Sequence, residues 1–540
     1  MKIIITTFLI VVSLAFTGPL WYAKYNGPSG GYASILDIVI DNDRNVYVTG
    51  IANSNNDDGD IITIKYNAQG DALWSRLTDC YYKDIAYSIC IDEYGYSYVA
   101  GFTYDGTYYR LAVIKYNPDG TINCINADNV QNAFYMNSYT IKLDSQRNVY
   151  VATMYGTDAW LVTFDNNLNY RGSLLIDYGD LDCFNDMVIT SDDKIIVTGR
   201  VETPLGSPEQ TDKDMFIGKY IFNEGTGLFE EIWHYVSFPQ AEYSIEKGHK
   251  VKLDNAGNVY VAGTTQTGSS QGYQHYCLWK FNADGNLQWM FNYNDPQGNS
   301  SSPCDLAVHP VTGISYMTGW RALNTNDVEI MTMAIDADMN LLWRDNWNYG
   351  SLYDEGHAIA ISNYSVYVSG MVSSPGNNDM VTMCYRLSTG ERKWIEIYRY
   401  STSSKEIAWC NAVKQNGNYA YIVSAGQLQN PDYALTVMYK VLDNNSDNPA
   451  GHEEPMFYTQ IYPQPCHDIM KITLSSPAEQ WASVSLYDAT GRKITDLYND
   501  FAKTGLNKIV YNPDNLCNGV YFVRFDVGGI TKTEKVVLQR

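Results

Sequence analysis

A short, largely apolar sequence motif, which we call the phrase, recurs along most of the chain. Its clearest copy is Asn45–Gly50 (Asn-Val-Tyr-Val-Thr-Gly), in which neighbouring positions are both apolar or aromatic. Seven further copies end at Gly101, Ala152, Gly199, Gly263, Gly319, Gly370 and Gly426. Their mean spacing of about 54 residues is near the length of one four-stranded propeller blade. The pattern therefore predicts eight repeats of one β unit.

Each unit contains four predicted strands, a to d. Strand a, such as Ile35–Asp41, precedes the phrase, which forms strand b. Strand c begins with Asp and ends on an aromatic residue, as in Asp60–Tyr66, and a Gly-containing turn leads to a strand d opened by Trp, as at Trp74. Strand b is apolar at both positions of the period-two pattern, which indicates burial on both faces between neighbouring blades. In an isolated β-sandwich, apolar and polar residues would alternate more regularly along each strand, so that fold is the second-ranked alternative.

The two ends of the repeat array complement each other. The eighth unit ends near Lys440 without a Trp-led strand, whereas Leu20–Tyr25 carries that pattern before the first strand a. Pairing these ends would close the ring and remove exposed sheet edges. We therefore predict an all-β fold, a β-propeller of about eight four-stranded blades over 19–442, with the ring closed by an N-terminal strand. Two units are degenerate, because Cys124 replaces Trp in the second and Tyr170 stands near that position in the third.

The repeats resemble the SBBP family of propeller-type repeats. The best match is Asp254–Gly263, of the form D-x-x-G-N-x-Y-V-x-G, followed by Lys280-Phe281 where the family has K-Y. Members of this family are mostly surface or secreted proteins, so the resemblance implies a fold and a location rather than an activity. The family is named for seven blades, whereas eight repeats occur here.

A polar linker, predicted at 443–456, leads to a different pattern at 457–540. Alternating apolar positions and turn-forming Gly there predict a small C-terminal β-sandwich. Four ordered phrases resemble the type IX secretion sorting domain: Ile461–Pro465, Ser483–Arg492, Leu516–Val523 and Lys535–Val537. The family usually opens on Y-P-N-P, and Gln464 departs from that. The positions that match the motif are Tyr462, Pro463, Pro465, Gly491, Gly519, Tyr521 and Lys535.

This resemblance implies passage across the outer membrane of a Gram-negative bacterium, followed by attachment to the cell surface or release. The type IX secretion machinery is then one partner, and a generic adhesive β module is the alternative interpretation. The N-terminus agrees with export, because Met1-Lys2 and the mostly apolar stretch Ile3–Phe16 predict a signal peptide over 1–18. A membrane span needs ~20 apolar residues, so no integral span is expected in the mature chain.

Charge narrows the range of partners. The 60 acidic and 37 basic residues give a formal net charge of −23. Such a surface repels phosphate backbones and anionic lipid, which argues against nucleic acid and against peripheral membrane binding. The ten cysteines are irregularly spaced and form no C-x-x-C, so neither a zinc site nor a small-domain disulfide framework is suggested.

No catalytic, cofactor or metal site is predicted. The histidines form no H-E-x-x-H pair, and no G-x-S-x-G phrase is present. The acidic run Asn53–Asp60 is interpreted as a solvated loop, because Lys65 falls where an EF-hand needs Glu. We therefore expect a non-catalytic binding or structural protein with glycan or protein partners. One alternative is a polysaccharide-active lyase or hydrolase. The other is a quinoprotein-like dehydrogenase, because Leu387–Trp394 resembles the Trp-docking motif of those enzymes. Methanol-type members of that group have two adjacent cysteines beside the quinone, and no two cysteines are adjacent here.

Loop lengths distinguish the two faces of the predicted ring. The a–b and c–d turns are short and share one face, whereas the b–c and d–a loops are long and share the other, as in Arg200–Lys213 and Asn292–Pro303. Loops of differing length can carry specificity on a rigid scaffold, and their aromatic side chains suit sugar stacking. We predict the b–c and d–a face as the binding face, with six candidate ligand residues: Tyr104, Tyr108, Tyr109, Tyr273, His275 and Trp320.

Overall fold

The computed structural model contains 39 β-strands, numbered β1 to β39 along the chain. It describes residues 19–27, 30–53, 59–127, 139–179, 181–204, 211–237, 245–266, 273–324, 326–350, 352–374, 377–398, 405–429, 433–443, 458–462, 466, 469–476, 480–503, 505–527 and 530–539. The predicted signal peptide at 1–18 and nearly all of the predicted linker lie outside the described residues.

Strands a to d of each blade pair as neighbours in one antiparallel sheet. The first four blades contain β2 (Ala33–Ile40), β3 (Val46–Ala52), β4 (Asp60–Tyr66), β5 (Ala72–Thr78); β6 (Lys83–Ile91), β7 (Ser97–Tyr104), β8 (Tyr109–Tyr116), β9 (Ile122–Asn126); β10 (Thr140–Leu143), β11 (Val149–Tyr155), β12 (Asp158–Phe164), β13 (Tyr170–Ile176); and β14 (Cys183–Ile189), β15 (Ile195–Pro204), β16 (Thr211–Asn223), β17 (Leu228–Val236).

The other four blades repeat this arrangement. They contain β18 (Ile245–Leu253), β19 (Val259–Gln266), β20 (Gln274–Phe281), β21 (Leu287–Asn292); β22 (Ser301–Val308), β23 (Ser315–Asn324), β24 (Asp327–Ile335), β25 (Leu341–Trp347); β26 (Glu355–Ile361), β27 (Ser365–Ser374), β28 (Asn377–Arg386), β29 (Arg392–Tyr398); and β30 (Lys405–Asn416), β31 (Tyr419–Gln429), β32 (Tyr433–Leu442), with β1 (Trp21–Asn26) as the fourth strand.

The N-terminal strand closes the ring, as predicted. β1 pairs antiparallel with β32 from Trp21↔Met438 to Asn26↔Tyr433 and so supplies strand d of the eighth blade. Strand a of each blade contacts strand a of the next, and β2 contacts β30, which joins the first blade to the eighth. The prediction of eight four-stranded blades closed by an N-terminal strand is confirmed.

The Trp of the outermost strand d packs against the next blade and donates a hydrogen bond to it. Trp74 Nε1 donates to Pro118 O at 3.1 Å, and its ring lies so close to Gly120 that a Cβ there would be 2.5 Å from it. Because Gly120 also has φ +81°, that turn requires glycine. The same Trp-to-carbonyl bond joins four further pairs of blades, through Trp21–Ala68, Trp233–Ala283, Trp289–Ala337 and Trp343–Leu387.

The two degenerate units differ in how they replace this Trp. Cys124 takes its place in the second blade, opposite Lys115. In the third blade Gly172 holds that register, opposite Thr163, and Tyr170 lies two residues earlier. A Cβ on Gly172 would lie 2.4 Å from Gly227 O, which belongs to the long c–d hairpin of the fourth blade. That hairpin therefore occupies the space that a Trp fills elsewhere.

The C-terminal unit is a β-sandwich, as predicted. One sheet has the order β33-β34-β37 and the other β36-β35-β38-β39. These strands are β33 (Tyr458–Tyr462), β34 (Met470–Ser476), β35 (Gln480–Asp488), β36 (Lys493–Ala502), β37 (Gly505–Tyr511), β38 (Gly519–Val527) and β39 (Ile530–Leu538). Apolar residues from both sheets share one core, among them Ile472, Leu486 and Phe525.

Two further features of the described residues bear on the sequence predictions. All ten cysteines are free thiols; Cys384 is fully buried as a small apolar residue, whereas Cys90 is half-buried. Among the described residues, no helix has the length and apolar character needed to cross a membrane.

Candidate functional site

The innermost strands carry a β-bulge at one shared position. In seven of the eight blades the pairing of strands a and b shifts by one residue at the same point, leaving one residue of strand a unpaired. β-Bulges re-aim side chains and are enriched beside functional sites. These unpaired residues form what we call the bulge layer: Leu36, Tyr87, Asn185, His249, Cys304, His357 and Trp409.

The bulge layer lies near the predicted binding face. Strand a begins at the d–a loop and ends at the short a–b turn, and Leu36 is only the fourth residue of β2. Because antiparallel strands alternate in direction, the d–a and b–c loops meet at that same end of the blade. The bulge layer therefore lies toward the long-loop end of the inner strands, and we call this end of the ring the channel mouth.

Polar members of the layer bond to the next blade. Asn185 Nδ2 donates to Gly248 O at 2.8 Å, and His357 Nδ1 lies 2.7 Å from Ala408 O. The imidazole of His357 also stacks on the Trp409 indole, with ring centroids 4.9 Å apart. The Trp409 side chain nevertheless stays 39% exposed, so a rigid aromatic face is presented at the channel mouth.

The protonation state of His249 is set mainly by burial. Burial, together with the nearby cation Lys247, lowers the pKa of His249 to about 4. The imidazole is therefore neutral at neutral pH and offers one donor and one acceptor nitrogen. Its Nε2 lies 3.4 Å from Thr264 Oγ1.

Directly below the bulge layer, the next residue of each strand a contributes to a belt around the channel. Three belt carboxylates accept a backbone N–H from strand a of the next blade: Asp37 from Ile89 at 2.8 Å, Asp186 from Val251 at 3.0 Å and Asp305 from Ile359 at 2.9 Å. Charged hydrogen bonds of this type are stronger than neutral ones. The belt therefore holds the inner strands together, and it consists of Asp37, Ser88, Thr140, Asp186, Lys250, Asp305, Ala358 and Cys410.

Lys250 is the electrostatic centre of the belt. Burial alone would lower the pKa of Lys250, but Asp186, Asp305 and Asp37 raise it above the ordinary lysine value. Burial raises the pKa of Asp37. Burial also opposes ionisation of Asp186, yet Lys252 and Lys250 hold its pKa below the ordinary value. A layer in which opposite charges attract one another therefore lies next to the bulge layer.

The structure brings together three of the six predicted ligand residues. Tyr104 and Tyr109 stack in the b–c hairpin of the second blade, with ring centroids 4.6 Å apart. Tyr104 Oη donates to Gly106 O at 2.9 Å, so this tyrosine also shapes its own loop. Tyr108, at the tip of the same hairpin, is 46% exposed.

The other three predicted residues lie in the fifth and sixth blades. Tyr273 is 57% exposed and precedes β20, which contains His275. Burial lowers the pKa of His275. Trp320 is half-buried on β23, beside Arg321, which is itself held by Asp295 at 2.6 Å. These three residues therefore lie around a different part of the long-loop face from the b–c hairpin of the second blade.

Sequence reasoning missed the bulge layer. From the sequence alone each histidine, His249 and His357 among them, is interpreted as a surface or turn residue, and Trp409 lies inside a strand that the pattern treats as regular. A signal was present, since aligning the units places these unlike residues in one column, directly before the mostly polar column of the belt. Unlike side chains at one position of a repeated scaffold are typical of a recognition surface.

One acidic cluster has donor atoms close enough together to hold a cation. Oxygens of Asp60, Asp79 and Asp84 all lie within 4.8 Å of one another between the first two blades. Asp84 is buried and its Oδ2 accepts the N–H of Cys80 at 2.6 Å. Burial, and to a lesser extent Asp79, raises the pKa of Asp84.

The residues of the predicted sorting motif lie at turns and strand ends of the C-terminal sandwich. Gly491 has φ +83° in the β35–β36 turn, Gly519 opens β38, and Tyr521 Oη donates to Cys517 O at 2.8 Å. Lys535 of β39 pairs with Phe522. Tyr462 ends β33, and Pro463 and Pro465 lie outside the described residues.

Comparison with protein families decides what this sandwich is. Its residues 460–539 match the family described as a secretion system C-terminal sorting domain. The chain carries a C-terminal secretion sorting domain. Residues 98–123, in the second blade, match a β-propeller domain of unknown function. The sorting domain marks this protein as one secreted and delivered to the cell surface.

The chain is also similar to several solved structures. Sqt1 from Chaetomium thermophilum is 11% identical, with 79% of this chain and 100% of that chain covered and a TM-score of 0.50. A second Sqt1 structure, bound to the N-terminus of a ribosomal protein, is 11% identical, with 76% and 98% covered and a TM-score of 0.48. The polysaccharide lyase Uly1 is 9% identical, with 66% and 90% covered and a TM-score of 0.40. A search of curated proteins gave no match.

Proposed function

We propose that the protein is a non-catalytic, surface-exposed binding protein that captures a glycan at the mouth of the axial channel. The observation that carries this proposal is the bulge layer, in which unlike side chains occupy one repeated position around the channel. Trp409 offers an exposed indole held in place by His357. Such an aromatic surface suits the apolar face of a sugar ring, and Asn185 and His249, across the ring in the fourth and fifth blades, are hydrogen-bonding groups of the same layer.

Replacing Trp409 with Ala tests this proposal. We expect affinity for a captured glycan to fall about tenfold, equivalent to ~1.4 kcal/mol, because the stacking surface is lost. Thermal unfolding should barely change, since the indole is partly exposed. Binding of the purified protein to a panel of neutral and acidic polysaccharides, followed by calorimetry, measures both effects.

Tyr94→Ala is the matched control, because Tyr94 is an exposed aromatic residue in the short a–b turn of the second blade. Its loss should leave glycan binding intact. If Tyr94→Ala abolishes binding while Trp409→Ala does not, the ligand binds the other face. If the panel gives no binding and a protein partner is captured instead through the long-loop face, the glycan assignment fails.

A second candidate function is cleavage of a polysaccharide. Three carboxylates, Asp37, Asp186 and Asp305, lie in the belt beneath the bulge layer, and the pKa of Asp37 is raised by burial whereas that of Asp186 is lowered. Carboxyl groups with opposite shifts can serve as general acid and base. Reproducible product release by the purified protein that is lost in Asp37→Asn would favour this candidate over simple binding.

We also propose that the type IX secretion machinery of a Gram-negative host exports the chain, with residues 1–18 as its signal peptide. A reporter fused between a signal peptide and residues 457–540 should then reach the surface of a host that has this system. The sandwich folds around its own core, which makes it transferable. Retention of the reporter in the periplasm, measured by fractionation, would contradict the proposal.

A further inference from the structure

Two cations meet where the fourth and fifth blades join on the long-loop face. Arg200 follows the glycine of strand b in the fourth blade, and Lys247 stands two residues before the bulge in the fifth. The equivalent residues of the first and second blades are Ile51 and Ile85, which share one apolar cluster. An apolar contact between blades has therefore been replaced here by two like charges.

Neither cation forms an ion pair within the described residues. Arg200 Nε is buried and has no hydrogen-bond partner there. Burial, Arg200 and Lys213 lower the pKa of the Lys247 ammonium group, with smaller opposing effects from Cys183 and Glu202. Buried polar and charged groups are normally paired.

A third cation lies close by and is already paired. Lys213 pairs in a parallel bridge with Ile245, two residues before Lys247, and its Nζ lies 3.4 Å from the Glu202 carboxylate. The nearest acidic side chain is therefore engaged with Lys213. The chain as a whole has a net charge of −23 and therefore repels polyanions. The local surplus of positive charge beside the channel mouth is a specific feature of this junction.

We propose that Arg200 and Lys247 bind an acidic group of the ligand, so that the glycan captured at the channel mouth is an anionic one. This inference rests on the proposed function. The planar Arg200 guanidinium can hold a carboxylate or a sulfate through two parallel hydrogen bonds, while the Lys247 ammonium acts as a point charge. His249 of the bulge layer lies two residues further along the same strand, so a ligand held by the cations also meets the bulge layer, whereas Trp409 lies across the ring in the eighth blade.

Matched polymer pairs test the charge requirement. Polygalacturonate and its carboxyl-reduced form differ in carboxylates, and dextran sulfate and dextran differ in sulfates. We expect the wild-type protein to bind one charged polymer at least tenfold more tightly than its neutral form, with an affinity that falls as salt rises. The polymer pair that shows the difference identifies the anionic group as carboxylate or sulfate.

The double variant Arg200→Gln/Lys247→Met should lose that preference, whereas Arg200→Lys should keep part of it. The matched control is Lys194→Gln, which removes one charge from the short-turn face of the same blade, where Lys194 pairs with Asp192 at 2.5 Å. Without ligand, the double variant should unfold at the same temperature as the wild type or higher, because two repelling charges are gone. A marked loss of stability would instead show a structural role and overturn the inference.

Failure of the inference differs from failure of the proposed function. Equal binding of charged and neutral polymers that still depends on Trp409 would overturn only the anionic requirement. If no polymer binds, the proposed glycan function fails, and thermal shift with glucuronate or sulfate still tests the two cations. Equal stabilisation of wild type and double variant by those small anions would overturn the inference.

Discussion

Replacing Trp21 with Ala is expected to lower the free energy of unfolding by about 3 kcal/mol. Trp21 lies in β1, the strand that closes the ring, and its Nε1 donates to Ala68 O of the first blade at 3.2 Å. Its ring also covers Gly70, where a Cβ would lie 2.6 Å away. One substitution therefore removes both the packing and the hydrogen bond that join the eighth blade to the first.

Tyr22→Ala is the control for this effect. Tyr22 is the next residue of β1 and is 56% exposed, so we expect its loss to cost less than about 1 kcal/mol. Chemical denaturation of both variants measures the difference. Equal destabilisation by the two substitutions would show that β1 contributes only backbone pairing, and that the Trp contact across the closure adds nothing.

Removal of Trp21–Asn26 extends the same argument. The backbone edge of β32, which pairs with β1 over this whole length, would then be exposed. Exposed strand edges promote pairing between chains. We therefore expect self-association of such a truncated protein in addition to the lower stability, and light scattering detects it.

Ring closure was predictable because it follows from the number of strands in each repeat unit. The last unit of the repeat array lacks its fourth strand, and one additional strand precedes the first unit, so pairing of these two ends is the simplest arrangement. Trp21 stands in the same sequence pattern as Trp74 and Trp289. The sandwich was predictable for a different reason, since its motif residues stand at turns whose geometry restricts the choice of residue. Gly491, with φ +83°, is an example.

The bulge layer was not predictable in the same way. A period-two pattern assumes one residue per pairing step, and a bulge adds one residue that the sequence pattern does not mark. His249, for example, looks like an ordinary member of β18 until its register with β19 is known. The cations Arg200 and Lys247 were equally hidden, because they are 47 residues apart in the chain and meet only at a junction between blades.

Replacing Lys250 with Met is expected to destabilise the protein by about 3–5 kcal/mol near neutral pH, because it leaves buried carboxylates without their cation. Asp186, Asp305 and Asp37 all act on Lys250, and each accepts a hydrogen bond that joins inner strands. The matched control is Lys252→Met on the same strand. Lys252 is 4.0 Å from Asp186 with its side chain 40% exposed, so its loss should cost about 1 kcal/mol or less.

The effect of Lys250→Met should depend on pH in a defined direction. The raised pKa of Lys250 means that its contribution is fully present below the pKa of an unfolded lysine and is lost only in strong alkali. The lowered pKa of Asp186 means that its contribution is present above the ordinary aspartate value and is lost as the pH falls through the folded one. The difference between wild type and Lys250→Met should therefore be largest from about pH 6 to 9 and shrink toward pH 3, as the carboxyl groups take up protons. Denaturation at several pH values measures it, with Lys250→Arg as the variant that keeps the charge. A loss of stability that is the same at every pH, or equally large in Lys250→Arg, would assign the role of Lys250 to packing rather than to charge.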